Sequence, residues 1–351
     1  MLIGRSFLRH AKTSFARSVS SLDVSIPLRD GNTLAATKIA SSSSKNTASI
    51  IMVSGKSMTK SQWRTLDNRL AEAGFNVIIF DQRDMGLSSK YPLMSNEGSN
   101  NDVILEHHET QLLRHSQGKD YDSAYTLEDC ADDLRDIMDY FDLASAHILG
   151  LSLGGVVSQI AAIKNPDRIK SLTCIMSSCN PNRWAAEAYT CNPEFFHSIM
   201  HHPKPTEDMS RKEYLQNRVE IWQQLLTNKE TQPDLLEEEI QLLEEELGTD
   251  YDRGGVDWLD LGGMRQTLAM ASWSDKCPPE THALALGQLN CSTLVLHGVH
   301  DQIFPIEAGE ELAKVSGGCL LKFPGGHNTP LDLLEEITDA IVEHVTNATR
   351  Q

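Results

Sequence analysis

A serine set between two glycines occupies the most informative position of this chain, in the segment G-L-S-L-G-G over residues 150–155. The residues before it form an apolar strand pattern, and those after Leu153 form a helix pattern of small residues. A side chain at such a turn needs a cramped backbone that only flanking glycines accommodate. The turn exposes the Ser152 hydroxyl and directs free helix N–H groups toward whatever it attacks. The pattern predicts a nucleophilic Ser152, against the alternative of a tight turn with an incidental serine.

A nucleophilic serine needs a base and a group that orients the base. Residues 292–298 read as a buried strand, and Asp301 follows shortly after it. Residues 318–323 read as a second strand, which leads through P-G-G to His327. Taken singly, Asp301 could cap the next helix, and His327 could be an ordinary loop histidine. Because all three residues follow strand ends in the order Ser, Asp, His, we expect a catalytic triad at one edge of a parallel sheet.

This triad predicts acyl transfer with no metal and no organic cofactor. His327 would take the proton of Ser152 as the hydroxyl attacks an ester carbonyl, while Asp301 holds the imidazole and stabilises its charged form. Water activated by the same histidine would then release the acid from the acyl-enzyme. The expected chemistry is serine-dependent hydrolysis of a carboxylic ester.

Further motifs resemble those of the α/β-hydrolase superfamily, over about residues 22–345. Residues 81–88 match its D-x-R-x-x-G-x-S loop, and residues 298–305 match G-x-x-D-x-x-x-P around its acid. More narrowly, the D-Q-R-D-x-G loop, the elbow, Y-D-R-G-G at 251–255 and R-Q at 265–266 look like the aclacinomycin methylesterase group. The resemblance implies an α/β-hydrolase fold, with a mostly parallel eight-stranded sheet, flanking helices and a helical cap inserted after the sixth strand.

The resemblance also implies an activity. These enzymes hydrolyse small carboxylic esters, so we expect a carboxylesterase-like hydrolase for a small or medium apolar ester. One alternative is a serine aminopeptidase of the same fold, although the elbow lacks the tryptophan associated with that group. Another is a non-catalytic binding protein of this fold, since fold alone does not settle function. The intact set of Ser, Asp and His speaks against it.

The resemblance points to an oxyanion hole, with one departure. Many family members carry His-Gly after the third strand, whereas residues 54–57 of this chain are S-G-K-S. The hole uses backbone N–H groups, so the missing histidine need not abolish it. We expect the amides of Leu153 and of Lys56 (or Ser57) to face the oxyanion. The Lys56 side chain could add positive charge there, although a solvated loop lysine is the simpler interpretation.

The domain prediction assigns residues 23–180 and 289–351 to the hydrolase core and residues 181–288 to the helical cap. Ser57 and several apolar residues of the cap are candidates for the substrate pocket. Helical aromatics pack into cores more often than they touch ligands. The cap candidates are Trp184, Phe195, Phe196, Trp222, Trp258, Met270 and Trp273.

The composition is that of a soluble globular enzyme. The 351 residues suffice for one α/β domain with an insertion, and the formal charge of −18 argues against nucleic-acid binding. No stretch is apolar enough over sufficient length to be an integral membrane segment. The 7 cysteines include no C-x-x-C pair and no His-Cys grouping at metal spacing, which suits a reducing compartment. The expected partner is a small-molecule ester; oligomeric state is left open.

The first 22 residues differ from the rest. They contain Arg5, Arg9, Lys12 and Arg17, several serines and no acidic residue before Asp23. Apolar residues recur at roughly helical spacing opposite the basic ones, which is typical of a mitochondrial transit peptide. We therefore expect a mitochondrial protein with a transit peptide over residues 1–22. A plastid peptide, or a disordered basic tail on a cytoplasmic protein, is the alternative.

Overall fold

The structure is a computed structural model that describes residues 20–41, 48–91, 101–225, 233–257 and 260–350. Residues 1–19 of the expected transit peptide lie outside the described residues, and Ser21 and Leu22 already belong to the first strand. The localisation therefore stays a prediction.

One sheet organises the described chain. Its strands β1 to β8 are Ser21–Pro27, Thr33–Ile39, Ser49–Val53, Asn76–Phe80, Ala146–Leu151, Ile169–Ile175, Ser292–Gly298 and Cys319–Phe323. In the described residues these form an eight-stranded sheet in the order β1-β2-β4-β3-β5-β6-β7-β8. The pairs β1–β2 and β2–β4 are antiparallel, and the pairs from β4–β3 to β7–β8 are parallel. The expected mostly parallel eight-stranded sheet is confirmed.

Helices cover both faces of the sheet. Helices α1 to α12 are Leu66–Glu72, Asn101–Ser116, Leu127–Tyr140, Leu153–Lys164, Pro181–Cys191, Pro193–Met200, Arg211–Trp222, Pro233–Asp252, Leu261–Lys276, Pro279–Leu286, Ile306–Ser316 and Leu334–Thr349. Alternate residues of a strand point to opposite faces, and β3 shows this directly. Ile51 and Val53 pack with α3 and α4, whereas Ile50 and Met52 pack with α1 and α12. Burial on both faces explains why the central strands are continuously apolar.

Helices α5 to α10 lie between β6 and β7 in the chain, within the segment expected to form the cap. They have a small apolar cluster of their own, which includes Tyr214, Leu243 and Leu247. Helix α9 is different, because its Ala269 and Trp273 belong to the main core cluster beside the sheet. Leu286 of α10 belongs to the same cluster, so the insertion is anchored beside the sheet through α9 and α10.

Buried ion pairs also join the insertion to the core. Asp81, at the end of β4, has no solvent exposure, and its carboxylate accepts two hydrogen bonds from Arg253, at 2.8 and 2.9 Å. The same carboxylate accepts from the amides of Lys60 and Leu87. Gly86, with φ of 49°, passes so close that a Cβ there would collide with the Asp81 carboxylate. This explains why the loop has glycine at that position.

Two further pairs repeat the arrangement. Arg265 of α9 donates to Asp84 at 2.9 Å, and both side chains are buried. Arg64 donates to Glu239 of α8, which is fully buried. Buried carboxylates need such partners because an unpaired buried charge is costly.

Arg253→Met should leave the Asp81 carboxylate buried without its cation. We expect the free energy of unfolding to fall by about 3 kcal/mol, because removal of one member of a buried pair leaves an uncompensated charge. Denaturant unfolding would measure this. Arg211→Met is the matched control, since Arg211 pairs with Asp252 on the exposed surface, where a pair contributes about 0–1 kcal/mol. Adding Asp81→Asn to Arg253→Met should restore part of the loss; equal effects of the two single Arg variants would contradict the interpretation.

Candidate active site

The turn between β5 and α4 holds Ser152 in a strained conformation, with φ of 53° and ψ of −119°. Such values are rare for residues other than glycine. Steric contacts explain why both neighbouring positions, 150 and 154, are glycines. A Cβ at Gly154 would collide with the carbonyls of Val53 and Ser54 in β3 and the following loop, and one at Gly150 would collide with the backbone of Gly154. The elbow therefore requires the backbone at the start of α4 to pack directly against the backbone at the end of β3.

The three predicted triad residues meet at the carboxyl ends of their strands. His327 Nε2 lies 2.9 Å from Ser152 Oγ, and His327 Nδ1 lies 2.7 Å from Asp301 Oδ2. A carboxylate can only accept, so Nδ1–H donates to Asp301. In a neutral ring, Nε2 is then the acceptor and can receive the proton of Ser152. The geometry forms a continuous hydrogen-bonded chain from hydroxyl to imidazole to carboxylate.

The Asp301 carboxylate is fixed by its own loop. Its Oδ1 accepts from the amides of Ile303 and Phe304, at 2.8 and 2.9 Å. The side chain is fully buried. With Oδ1 occupied by backbone donors, Oδ2 is directed toward His327.

His297, which sequence reasoning missed, lies behind this carboxylate. Its Nε2–H donates to the carbonyl of Phe304 at 2.8 Å and lies 3.5 Å from Asp301 Oδ2. Burial lowers the pKa of His297, so the ring is neutral near pH 7 and does not compete with His327 as a cation for Asp301. Its place in the H-G pair that ends β7, close before Asp301, is the sequence signal that could have found it.

The loop after β3 lies against the nucleophile. A Cβ on Gly55 would lie 3.4 Å from Ser152 Cβ. The Ser57 amide donates to Gln266 Oε1 of α9 at 2.9 Å, so it is already engaged. Among the described residues, the amide of Lys56 has no such partner. Leu153 begins α4, where the helix provides no acceptor for its N–H. Of the two alternatives in this loop, the geometry favours Lys56 over Ser57 as the second oxyanion donor beside Leu153.

Ser54 takes the place of the family histidine and helps to hold this loop. Its hydroxyl donates to the Met58 carbonyl at 3.3 Å, and its carbonyl accepts from Gln82 Nε2 at 2.7 Å. The loop is thus fixed from both sides, by Gln82 of the core and by Gln266 of the insertion.

A cavity of about 350 Å³ opens above Ser152 and His327. Its walls come from the loop after β3 and from the helices α6, α7 and α8. Apolar side chains of α6, α7 and the turn after α7 line much of it: Phe196, Ile199, Met200, Ile221, Trp222 and Leu225.

The predicted pocket residues divide into two groups. Ser57 and Trp222 line the cavity, whereas Trp184, Phe195 and Trp273 do not. The wall of α6 is formed by Phe196 in place of Phe195. Adjacent helical residues point about 100° apart, so a single position decides which ring faces the ligand.

Two of the tryptophans have structural contacts elsewhere. Trp184 packs against Phe304 and Ala308, and its indole N–H donates to Glu311 at 2.5 Å. Trp273 packs in the main core cluster with its ring edge against His282. Met270 packs on the same core cluster, and Trp258 lies outside the described residues. The expected aromatic wall is therefore corrected to Phe196 and Trp222.

The described part of the chain contains no cluster of three His, Cys, Asp or Glu side chains that could hold a metal ion. None of its helices has both the length and the apolar character required to cross a bilayer.

Known proteins share this fold and sequence pattern. Residues 48–201 match the family described as the α/β hydrolase fold. The rhodomycin D methylesterase DauP of Streptomyces sp. (strain C5) is 24% identical over 320 residues, which cover 86% of this chain and 92% of that protein. The chain has the α/β-hydrolase fold, and its residues 48–201 are similar in sequence to that family. The expected resemblance, including the methylesterase-like relatives, is confirmed.

Solved structures of α/β hydrolases superimpose over nearly the whole chain. A thermophilic esterase from Thermogutta terrifontis matches with a TM-score of 0.58 and 20% identity, covering 94% of this chain and 99% of its own. The esterase EaEST from Exiguobacterium antarcticum matches with a TM-score of 0.60 and 18% identity, covering 93% and 100%. At this identity the likeness establishes the α/β-hydrolase fold.

One carboxyl group in the cavity wall has a shifted pKa. Glu246 of α8 is buried and accepts from the Arg64 amide at 2.5 Å. Burial raises the pKa of Glu246 to about 7, and the positive charge of Arg64 only partly opposes this. The folded protein therefore holds a proton on Glu246 at pH values where an unfolded glutamate, with a pKa of about 4.3, has lost it.

Glu246→Gln should flatten the dependence of stability on pH. A raised folded-state pKa contributes stability below about pH 4, and this contribution is lost as the pH rises through about 7. The variant should therefore exceed the wild type in free energy of unfolding at about pH 8, by about 3–4 kcal/mol, and come close to it at about pH 4.5. Urea unfolding across this range is the measurement. Glu244→Gln, at an exposed position of the same helix, should follow the wild-type profile; a Glu246→Gln profile parallel to wild type would refute the assignment.

Proposed function

We propose that this α/β hydrolase is a serine-dependent carboxylic ester hydrolase in which Ser152, His327 and Asp301 form the catalytic triad. The observation that supports it is the hydrogen-bonded chain through His327, at 2.9 and 2.7 Å, above a strained serine turn. Similarity to methylesterases along 86% of the chain supports hydrolysis of ester bonds as the reaction type.

The first half of the reaction uses His327 as base. His327 Nε2 accepts the proton of Ser152 as Oγ attacks the ester carbonyl, and the resulting imidazolium is stabilised by Asp301. The tetrahedral oxyanion accepts hydrogen bonds from the amides of Leu153 and Lys56. Each such donor contributes about 3 kcal/mol to transition-state stabilisation. His327 then returns its proton to the departing alcohol, which leaves an acyl-enzyme on Ser152.

The second half repeats these roles with water. His327 takes a proton from water, which attacks the acyl carbonyl, and Ser152 leaves as its hydroxyl is restored. No residue of the triad needs to change position between the two halves. The size of the cavity and its apolar wall favour an ester of small or medium size with an apolar body.

Ser152→Ala should abolish turnover, because the nucleophile is lost while the fold is retained. We expect hydrolysis of 4-nitrophenyl butyrate to fall roughly 10⁶-fold, to the detection limit, together with loss of fluorophosphonate labelling. Ser198→Ala, at an exposed position of α6, is the control and should keep wild-type rates. Undiminished hydrolysis by Ser152→Ala would disprove the proposal. If the wild type cleaves proline 4-nitroanilide in preference to the ester, the protein is the aminopeptidase. If the wild type shows neither turnover nor labelling, it is a binding protein.

Asp301→Asn should preserve the shape of the site but not the preferred protonation of His327. An amide at this position can donate to Nδ1, which favours the tautomer that cannot accept the Ser152 proton. We expect kcat to fall by about four orders of magnitude with the circular dichroism spectrum unchanged. A decrease below tenfold would argue that the carboxylate does not orient the base.

A further inference from the structure

Two of the cations that line the cavity above Ser152 form no ion pair among the described residues, although the chain as a whole has a formal charge of −18. Four basic side chains line it: Lys56, Arg64, Lys204 and Arg218. Two acidic side chains, Glu246 and Asp260, line it as well. Their pairing decides which positive charges remain available to a ligand.

Two of the four cations are paired within the protein. Arg64 donates to the buried Glu239 and lies beside Glu246. Lys204 Nζ lies 3.3 Å from Asp260 Oδ2, while the other oxygen of Asp260 accepts from the Ser57 hydroxyl at 3.0 Å. The carboxylates at the cavity are thereby engaged with Arg64, Lys204 and Ser57.

Lys56 and Arg218 take part in no ion pair or hydrogen bond among the described residues. Asp260 attracts both Lys56 and Arg218 without forming an ion pair with either, because its carboxylate is engaged with Lys204 and Ser57. Asp257 accepts from the amides of Gly262 and Gly263. Desolvation lowers the pKa of Lys56, and the negative charge of Asp260 opposes this. Three cations of the cavity, Lys56, Lys204 and Arg218, thus share the single carboxylate of Asp260, and an anionic ligand would balance the remaining positive charge.

A neutral donor stands beside these cations. Trp222 Nε1–H is buried, lines the cavity and has no hydrogen-bond partner in the described residues. Trp222 and Arg218 are one helical turn apart on α7, so they lie on the same face. Lys56 lies on the loop after β3, in a different wall of the same cavity. An acceptor group in this cavity would meet donors from both walls.

We infer that the substrate carries a free carboxylate besides its scissile ester, held by Arg218, Lys56 and the Trp222 indole. This inference rests on the proposed ester hydrolysis and narrows its substrate class to anionic esters, such as half-esters of dicarboxylic acids. The apolar wall of α6 and α7 accommodates the hydrocarbon between the two groups. The planar guanidinium of Arg218 has parallel N–H donors that suit the two oxygens of a carboxylate.

Matched pairs of esters test the inference. Monomethyl adipate has a free carboxylate on its acyl part, and dimethyl adipate lacks it. 4-Butanoyloxybenzoate has a free carboxylate on its alcohol part, and the methyl ester of that carboxylate lacks it. Wild type should show a kcat/KM at least tenfold higher for the anionic member of one pair, and that pair identifies the part of the substrate that the cations bind. Equal or lower kcat/KM for the anionic member of both pairs would overturn the inference.

Arg218→Met retains the apolar stem and removes the charge. We expect it to reduce the anionic-to-neutral ratio of kcat/KM at least tenfold, mainly through KM of the anionic ester. Lys212→Met removes one charge from an exposed position of the same helix and should keep the wild-type ratio. Equal ratios in the two variants would mean that overall charge, and not the cavity, sets the preference.

Calorimetric binding of the same esters to the Ser152→Ala protein separates this inference from the proposed function. We expect Ser152→Ala to bind the preferred anionic ester at least tenfold more tightly than its neutral partner. This difference should disappear when Arg218→Met is added to Ser152→Ala. Such a result supports the anion site even if no ester is turned over. Turnover of neutral esters with equal binding of both members would leave the hydrolase proposal standing and refute the anion site.

Discussion

The backbone contact between α4 and the sheet is the constraint on which the rest of the site depends. Helix α4 begins where Gly154 touches the carbonyls of Val53 and Ser54, and a side chain at either flanking glycine has no space. This contact forces Ser152 into its strained turn and places the N-terminus of the helix beside the hydroxyl. It also brings the loop after β3 against the same serine. Ser152 and the amides proposed as oxyanion donors are thus positioned by the same packing contact. The strain at Ser152 is tolerated because the surroundings permit no alternative.

The sheet, the elbow and the places of Asp301 and His327 could be predicted from sequence because their signals are local. Each consists of an apolar strand followed by glycine, or by proline and glycine, and the polar residue comes within a few positions. Parallel strand ends share one edge, so residues far apart in the chain come together without further information. The contact of His327 with both partners follows from this rule.

The cavity wall could not be predicted in the same way. Whether Phe195 or Phe196 faces the cavity depends on the rotation of α6 about its axis, and the packing of α6 against its neighbours determines that rotation. Trp273 is an aromatic residue of the insertion, like those expected in the pocket, but it packs in the core cluster on α9, the helix whose Arg265 pairs with Asp84. The excess positive charge at Lys56 and Arg218 depends on which carboxylates already have partners, and that is a property of the whole fold. The domain limits at residues 180 and 288 remain predictions of the sequence alone.

The D-x-R-x-x-G-x-S loop attaches the inserted helices, since its Asp81 binds Arg253 and its Gly86 leaves room for that carboxylate. An engineer who grafted the helical insertion of another hydrolase onto this scaffold would orphan Asp81, Asp84 and Arg64 in the interior unless the donor segment supplied equivalent partners.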